Sequence, residues 1–445
     1  MKLWQKDILS SHKVEQFTIG NDNELDLYLA PYDVLGSIAH VIMLESVGLL
    51  HANEKTLLVQ ELKSIYQVFN TPTQLKKLDE GVEDIHSQIE LMLTNKLGEV
   101  GKKIHSARSR NDQVLVDIKL FLRHQIETLV TNCVALFNLL IKQSEQYKNE
   151  LMPGYTHLQL AMPSSFGLWF GAYAESLVDD IITLHAAFEI VNKNPLGSAA
   201  GYGSSFPINR KLTTQLLGFD DLNYNVVYAQ MGRGKTEKIV ATALANIAAT
   251  LAKLSMDACL FMNNNFSFIS FPDEFTTGSS IMPHKKNPDV FELIRSHCNR
   301  IQALPNEIVL MTTNLPSGYH RDVQLLKEHI IPAFKNLNDC IEMAGLMITN
   351  IQIKKQLLHN DQYKYLFSVE SVNKLVLQGV PFRDAYKIVG KTIQENNFTY
   401  NTNINHTHEG SIGNLCNKEI KSMMQTVLNR FNFKKMNEAV AGLIQ

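Results

Sequence analysis

From Arg108 to Met152 the chain carries neither glycine nor proline. Through that stretch the apolar residues Val114, Ile118, Phe121, Leu122, Ile126, Leu129, Val130, Leu136, Phe137, Leu140 and Ile141 recur at helical spacing. An unbroken helix of about 40 residues would be ~60 Å long at 1.5 Å per residue. An ordinary domain needs nothing so long, so the pattern predicts a bundle or coiled-coil-like rod. Further long helices are predicted over 163–193 and 235–271. The second of these carries Ala241, Ala245, Ala248, Ala249 and Ala252 on one face, which allows close approach by another helix. A fourth follows Asn287-Pro288 up to Pro305, with Pro288 suited to the first turn. A fifth begins near Asp322 and passes Pro332 with a kink. Shorter helical patterns occupy 33–50, 75–97, 368–378 and 381–394, and an Asn/Thr-rich loop spans 396–408. Phe266 to Phe271 is the one alternation that suggests a strand. The expected architecture is all-α, with a helical head (1–107), a central long-helix bundle (108–357) and a small helical tail (358–445).

Composition narrows the function classes. Gly (23) and Pro (13) make up about 8% of the 445 residues, below the usual ~12%. The formal net charge is −2, which gives no footprint for nucleic acid or an anionic membrane. The five cysteines are far apart and form no CxxC pair, which argues against a disulfide scaffold or a clustered-cysteine metal site. No run of 18 apolar residues could span a bilayer, and Met1 to Asp7 lacks the apolar stretch of a signal peptide. The expectation is a soluble cytoplasmic protein with no metal.

Four polar strings could carry chemistry. In Thr276 to Pro288, two hydroxyls, two lysines and an amide follow Gly278 in a loop between helices. A serine there could become an oxyanion if positive charge and backbone N–H groups stabilise it. Pro153-Gly154-Tyr155-Thr156-His157-Leu158-Gln159 holds a histidine, the natural proton carrier near neutral pH. His105 to Asp112 places two arginines and an amide where the longest helix starts, a ready anion site. Gly318 to Glu328 offers Tyr319, Gln324 and Lys327, the last two neighbours on a helix face. Taken singly, each string also suits a bland role as an interhelical loop, a structural histidine, a helix cap (Asn111 or Asp112) or a polar helix start.

Together the strings resemble the fumarase/aspartase superfamily and, within it, the argininosuccinate lyase branch. The GSSxMPxKxN signature stands at Gly278 to Asn287. The GYTHLQ string at 154–159 and the SRNDQ string at 109–113 are similar to that branch specifically. The Asp33-Val34-Leu35-Gly36-Ser37 and Glu83-Asp84-Ile85-His86 strings also look like the family. The resemblance implies a five-helix bundle that joins three others in a twenty-helix homotetramer core, with each active site drawing on three subunits. It implies reversible cleavage of argininosuccinate to arginine and fumarate, the last step of arginine biosynthesis, with no metal or organic cofactor. By the same resemblance His157 and Ser279 are the acid/base pair, Lys285 stabilises the enolate-like intermediate, and Glu292 orients His157. Arg110, Asn111, Thr156, Asn287, Tyr319, Gln324 and Lys327 are the implied substrate contacts.

Several positions depart from the family pattern. The N-terminal Leu-Trp-Gly-Gly-Arg-Phe is Leu3-Trp4-Gln5-Lys6-Asp7-Ile8 here. A serine four residues before the first family aspartate (Asp26) is Asp22. Ser-Asp-Arg-Asp becomes Gln230 to Lys235, of which only Arg233 carries across, and a Glu-Asp pair becomes Leu325-Leu326. Two other readings follow: a related fumarate-releasing lyase acting on a modified, for example α-N-acylated, substrate, and a silent oligomer of the crystallin kind.

Overall fold

The computed structural model describes residues 12–71, 77–79, 81–404 and 406–445. The Leu3 to Ile8 departure and the start of the 75–97 pattern lie outside them. Five long helices dominate: Arg110–Gln146, Phe166–Val191, Lys235–Met262, Asp289–Thr312 and Leu326–Thr349, hereafter the first to fifth bundle helices. The fold is all-α. Among the described residues only Lys235–Met262 is long and apolar enough to cross a membrane, and over half of its apolar window is buried against other helices.

The first bundle helix is shorter than its breaker-free run because both ends are capped. Ser109 takes the N-cap: its Oγ accepts from Asn111 N, while Asp112 Oδ1 accepts from Ser109 N at 2.8 Å. Asp112 is therefore the partner in the cap rather than the cap itself. At the other end the start of the second helix closes the carbonyls, with Gly167 N donating to Tyr147 O and Phe166 N to Glu150 O. Between them Leu151–Thr156 and Gln159–Ser165 form an antiparallel hairpin, which helical periodicity did not predict. The third helix stops at Met262, not Phe271. Asn263 Oδ1 accepts from the N–H groups of Asn265 and Phe266, a local turn that competes with the helix. The fourth continues through Pro305 to Thr312, because Ile301, Leu304 and Ile308 bury its apolar face on both sides of the proline. Of the 266–271 alternation, Ile269–Ser270 forms a short strand against Gln352–Ile353.

One core runs the length of the bundle and takes in tail residues such as Leu366, Phe367 and Met424. A second fills the head, where Ala30–Ser46, Ala52–Asn70 and Ile85–Leu97 pack on Val116 and Leu120 of the first bundle helix. Ala241, Ala248 and Ala252 are buried within the chain, so the small-residue face is at least partly used by the chain's own helices. Large apolar side chains stay exposed along the bundle, among them Leu293 (61%), Leu310 (68%) and Leu346 (44%).

At Gly167 the first and second bundle helices come very close. A Cβ there would lie 2.7 Å from Lys148 Cα and 2.9 Å from Ser144 O. Gly390, in the tail helix Phe382–Gln394, has open space around it. Gly167→Ala is expected to destabilise by about 1–3 kcal/mol through overpacking. Gly390→Ala is expected to hold or raise stability, since alanine suits a helix better. Thermal melts of the two variants beside the parent check the contrast.

Candidate active site

The implied site residues fall at opposite ends of the rod. At one end a cavity of about 260 Å³ opens between the start of the first bundle helix, the head and the turn of helix Arg321–Leu325. It gathers Arg110, Asn111, Tyr319, Gln324 and Lys327 with Asp22, Asp26, Glu83, Asp84, His86 and Arg321. Lys327 is buried and bonds two carboxylates, Asp26 Oδ1 at 2.6 Å and Asp22 Oδ1 at 2.9 Å. Burial alone would lower its ammonium pKa, but Asp26 and Asp22 outweigh that and raise it. Burial pushes the Asp22 carboxyl up to about 6, with Lys327 offsetting part of the effect. Arg110 pairs with Asp84 and donates to Ser87 Oγ, and Arg321 pairs with Glu83 at 3.2 Å. Gln324 donates to Thr18 O at 3.0 Å and accepts from Arg321 Nε.

Behind this cavity lies a buried network that the sequence strings did not reveal. His86 Nδ1 is 3.1 Å from Asp33 Oδ1 and 3.6 Å from Asp117 Oδ2. Burial would lower the His86 pKa, yet Asp33 and the neighbouring acids raise it to about 9. Asp33, His86 and Asp117 place three possible metal-ligand atoms within 4.8 Å of one another. Their positions, 53 and 31 residues apart, show no ligand spacing, so only folding brings them together. The buried Arg108 guanidinium exerts its charge on both acids. Burial and the charge of Asp33 hold the Asp117 carboxyl well above its usual range, with His86 and Arg108 offsetting part of that.

At the far end of the rod, Thr277 and Asn287 bridge the base of the signature loop. Asn287 Nδ2 donates to Gly278 O at 3.2 Å. Ser279 Oγ accepts from the backbone N–H groups of Met282 (3.2 Å) and Ile281 (3.4 Å). Two donors aimed at one hydroxyl oxygen are what an alkoxide needs. Lys285, Asn287 and Glu292 line a cavity of about 400 Å³ with Cys259 and Met262, at the C-terminal end of the third helix.

The hairpin stands at that same end, where Tyr155 packs edge-on to Phe266 and stacks near Phe268. His157 and Leu158 form its two-residue turn with φ of 53° and 59°. That is the left-handed region that hairpin turns demand and that residues other than glycine enter at a cost. Thr156 and His157 are exposed. Among the described residues no hydrogen bond joins His157 to Glu292 or Ser279 within the chain. Arg233 is turned inward, bonding Glu237 Oε1 and Val323 O at 2.8 Å each, beside a cavity of about 360 Å³ that shares Tyr319 with the Lys327 cavity.

Sequence reasoning missed Asp26, Asp33 and Asp117 as members of the charged network. The Glu83 to His86 string was visible, but nothing in its spacing pointed to Arg110 or Asp33.

Residues 7–303 match the lyase family profile. The argininosuccinate lyase of Parabacteroides distasonis is 60% identical over 443 residues, covering 100% of this chain and 99% of that protein. That of Thermotoga neapolitana is 35% identical over 391 residues, covering 88% and 98%. Among solved structures, an EDDS lyase variant with bound fumarate aligns with a TM-score of 0.76 at 20% identity, covering 99% of this chain and 95% of that one. A class II fumarase from Schistosoma mansoni aligns at 0.71 and 15% identity, covering 96% and 93%. The fold and the matched profile thus define a lyase of the fumarase type. Within that class the chain belongs to the argininosuccinate lyase family.

The His86 network sets a pH dependence. An unfolded histidine is neutral above its ordinary 6.5, whereas folded His86 holds its proton to about 9. The stabilisation is complete below 6.5 and is lost as pH rises through 9. The parent's thermal midpoint is therefore expected to fall more steeply between pH 7 and 9.5 than that of His86→Gln, as read by parallel melts.

Proposed function

We propose that the chain cleaves argininosuccinate by general acid–base chemistry at sites shared between subunits of a homotetramer. The observation that carries this is the two N–H contacts to Ser279 Oγ, on the loop that also carries Lys285. Ser279, as an alkoxide, removes a proton from the succinyl carbon next to a carboxylate. Charge flows into that carboxylate, where Lys285 offsets it. The neighbouring C–N bond breaks, the double bond of fumarate forms, and His157 delivers a proton to the departing guanidinium nitrogen of arginine. Glu292 of another chain orients His157. Thr156 and Asn287 contact the reacting half of the substrate, while Arg110, Asn111, Tyr319, Gln324 and Lys327 hold its charged groups. The loop closes over bound substrate and excludes water, which strengthens each of these interactions. No metal or organic cofactor enters, because Lys285 and the N–H groups supply the stabilisation.

The tetramer reading is supported by the exposed Leu293, Leu310 and Leu346 and by an apolar groove lined by Val290, Leu293, Ile294 and Met343. Such packing would bury the bundle (108–357) and leave the head (1–107) and tail (358–445) at its ends. The enzyme acts at the last step of arginine biosynthesis, in a reducing cytoplasm in keeping with its five free cysteines.

Fumarate release, followed by its ultraviolet absorbance, should be fast from argininosuccinate and negligible from adenylosuccinate, aspartate and malate. Ser279→Ala is expected to lower kcat by at least ~10² while argininosuccinate still binds. Near-normal kcat would remove Ser279 from the chemistry, and lost binding in titration calorimetry would make it a substrate contact.

A further inference from the structure

The Lys327 cavity holds one carboxylate more than its cations balance. Asp84 is matched by Arg110, Glu83 by Arg321, and His86 belongs to Asp33 and Asp117. Lys327 alone faces two acids, Asp22 and Asp26. Asp26 is committed at both oxygens, Oδ1 to Lys327 and Oδ2 to the Ile85 N–H at 3.3 Å, and its side chain is 3% exposed. Asp22 differs. Its Oδ1 meets Lys327, its Oδ2 has no hydrogen-bond partner among the described residues, and its side chain is 16% exposed beside the cavity. The excess negative charge and the open acceptor are therefore on the same residue. Burial already holds this carboxyl above the usual range, as expected where positive charge is lacking.

On the reading that argininosuccinate is the substrate, we infer that Asp22 receives the free α-ammonium group of its amino-acid end and makes that group a requirement for binding. An α-amino acid carries an ammonium and a carboxylate on one carbon. The Asp22–Lys327 pair presents the complementary charges 2.9 Å apart. Exchange is direct: the ligand ammonium takes the open side of Asp22, and the ligand carboxylate takes the remaining Lys327 proton. The neighbouring donors are less free to do this, since Gln324 and Arg321 already bond the Thr18 carbonyl. An N-acyl group would remove the ligand's charge and set an uncharged amide against a carboxylate in a partly buried site. Asp22 stands where the family pattern has serine, which carries no charge to meet an ammonium.

The substrate also carries a guanidinium, and the test separates the two cations. The probes are arginine and Nα-acetylarginine, measured by titration calorimetry and as inhibitors of fumarate release. The parent should bind arginine at least about tenfold more tightly than Nα-acetylarginine. In Asp22→Asn the ratio should fall to within about threefold, with the loss on arginine alone, and Asp22→Glu should keep most of the preference. Nα-acetylarginine competing as well as arginine in the parent would overturn the inference without any variant. So would an unchanged ratio in Asp22→Asn. Equal weakening of both ligands would place Asp22 at the guanidinium and overturn it as well. Circular dichroism of the variants guards against misfolding. Failure of the argininosuccinate reading would show separately, as no fumarate release by the parent.

Discussion

The length of an uninterrupted helix governs everything else in this molecule. Arg110–Gln146 contains 37 residues and is therefore roughly 55 Å long. Arg110 and Asn111 sit at its start, and the hairpin that bears Thr156 and His157 follows its end. The fourth helix repeats the separation, since Glu292 lines the cavity below the signature loop while Thr312 lines the one beside Tyr319. A close-packed rod of this kind does not bend to bring its ends together. No folding of a single chain joins the Lys327 cavity to Ser279 or His157. Rods laid antiparallel do bring such ends together, and the exposed leucines along the fourth and fifth helices offer the surface for it.

The Lys327 end of the rod is organised by charge before any ligand arrives. Nearly every cation lining that cavity already holds an acid, and each pair is anchored by a helix start or by the head. Asp84 caps the helix Ile85–Leu97 while it pairs with Arg110. Ser109 and Asp112 fix the first bundle helix from which Arg110 projects, and Asp112 Oδ2 also takes the N–H groups of Gly197 and Ala199 at 2.9 Å. On the proposed reading, a ligand with its own carboxylates and cations would exchange partners here rather than create charge pairs from nothing. That keeps the cost of ordering side chains on binding low. The far end is organised differently. There Ser279 has backbone donors, and His157 stands on a turn whose backbone is held in an unfavourable region to present it.

Much of this was legible in the sequence for a physical reason. The bundle helices repeat an apolar pattern over many turns, so each residue reinforces the same reading. The signature loop and the Gly154 to Gln159 string could be read because several chemically specific residues lie close together along the chain. The hairpin escaped notice because its turn uses His157 and Leu158 rather than glycine or asparagine, and its strands contain Pro153 and Pro163. The end of the third helix was misjudged because Asn263 stops it through a side-chain turn while apolar residues continue to Phe271. The charged network was invisible for another reason. Asp33, His86 and Asp117 come from three helices, and nothing local in any of them reveals the others. The second carboxylate on Lys327 had the same origin: in the sequence Asp22 is only a departure from the family's serine, and folding places it on a lysine 305 residues away.

The account stands or falls on the sharing of sites between chains. The direct measurement mixes two inactive variants, His157→Asn and Ser279→Ala, under conditions that exchange subunits, and follows fumarate release from argininosuccinate. Sites built from different chains predict partial recovery of activity in the mixture, because some mixed assemblies contain a site with both residues intact. No recovery, with mixed assemblies demonstrated by mass, would mean that His157 and Ser279 serve one site from one chain and would contradict the proposed sharing of that site between subunits.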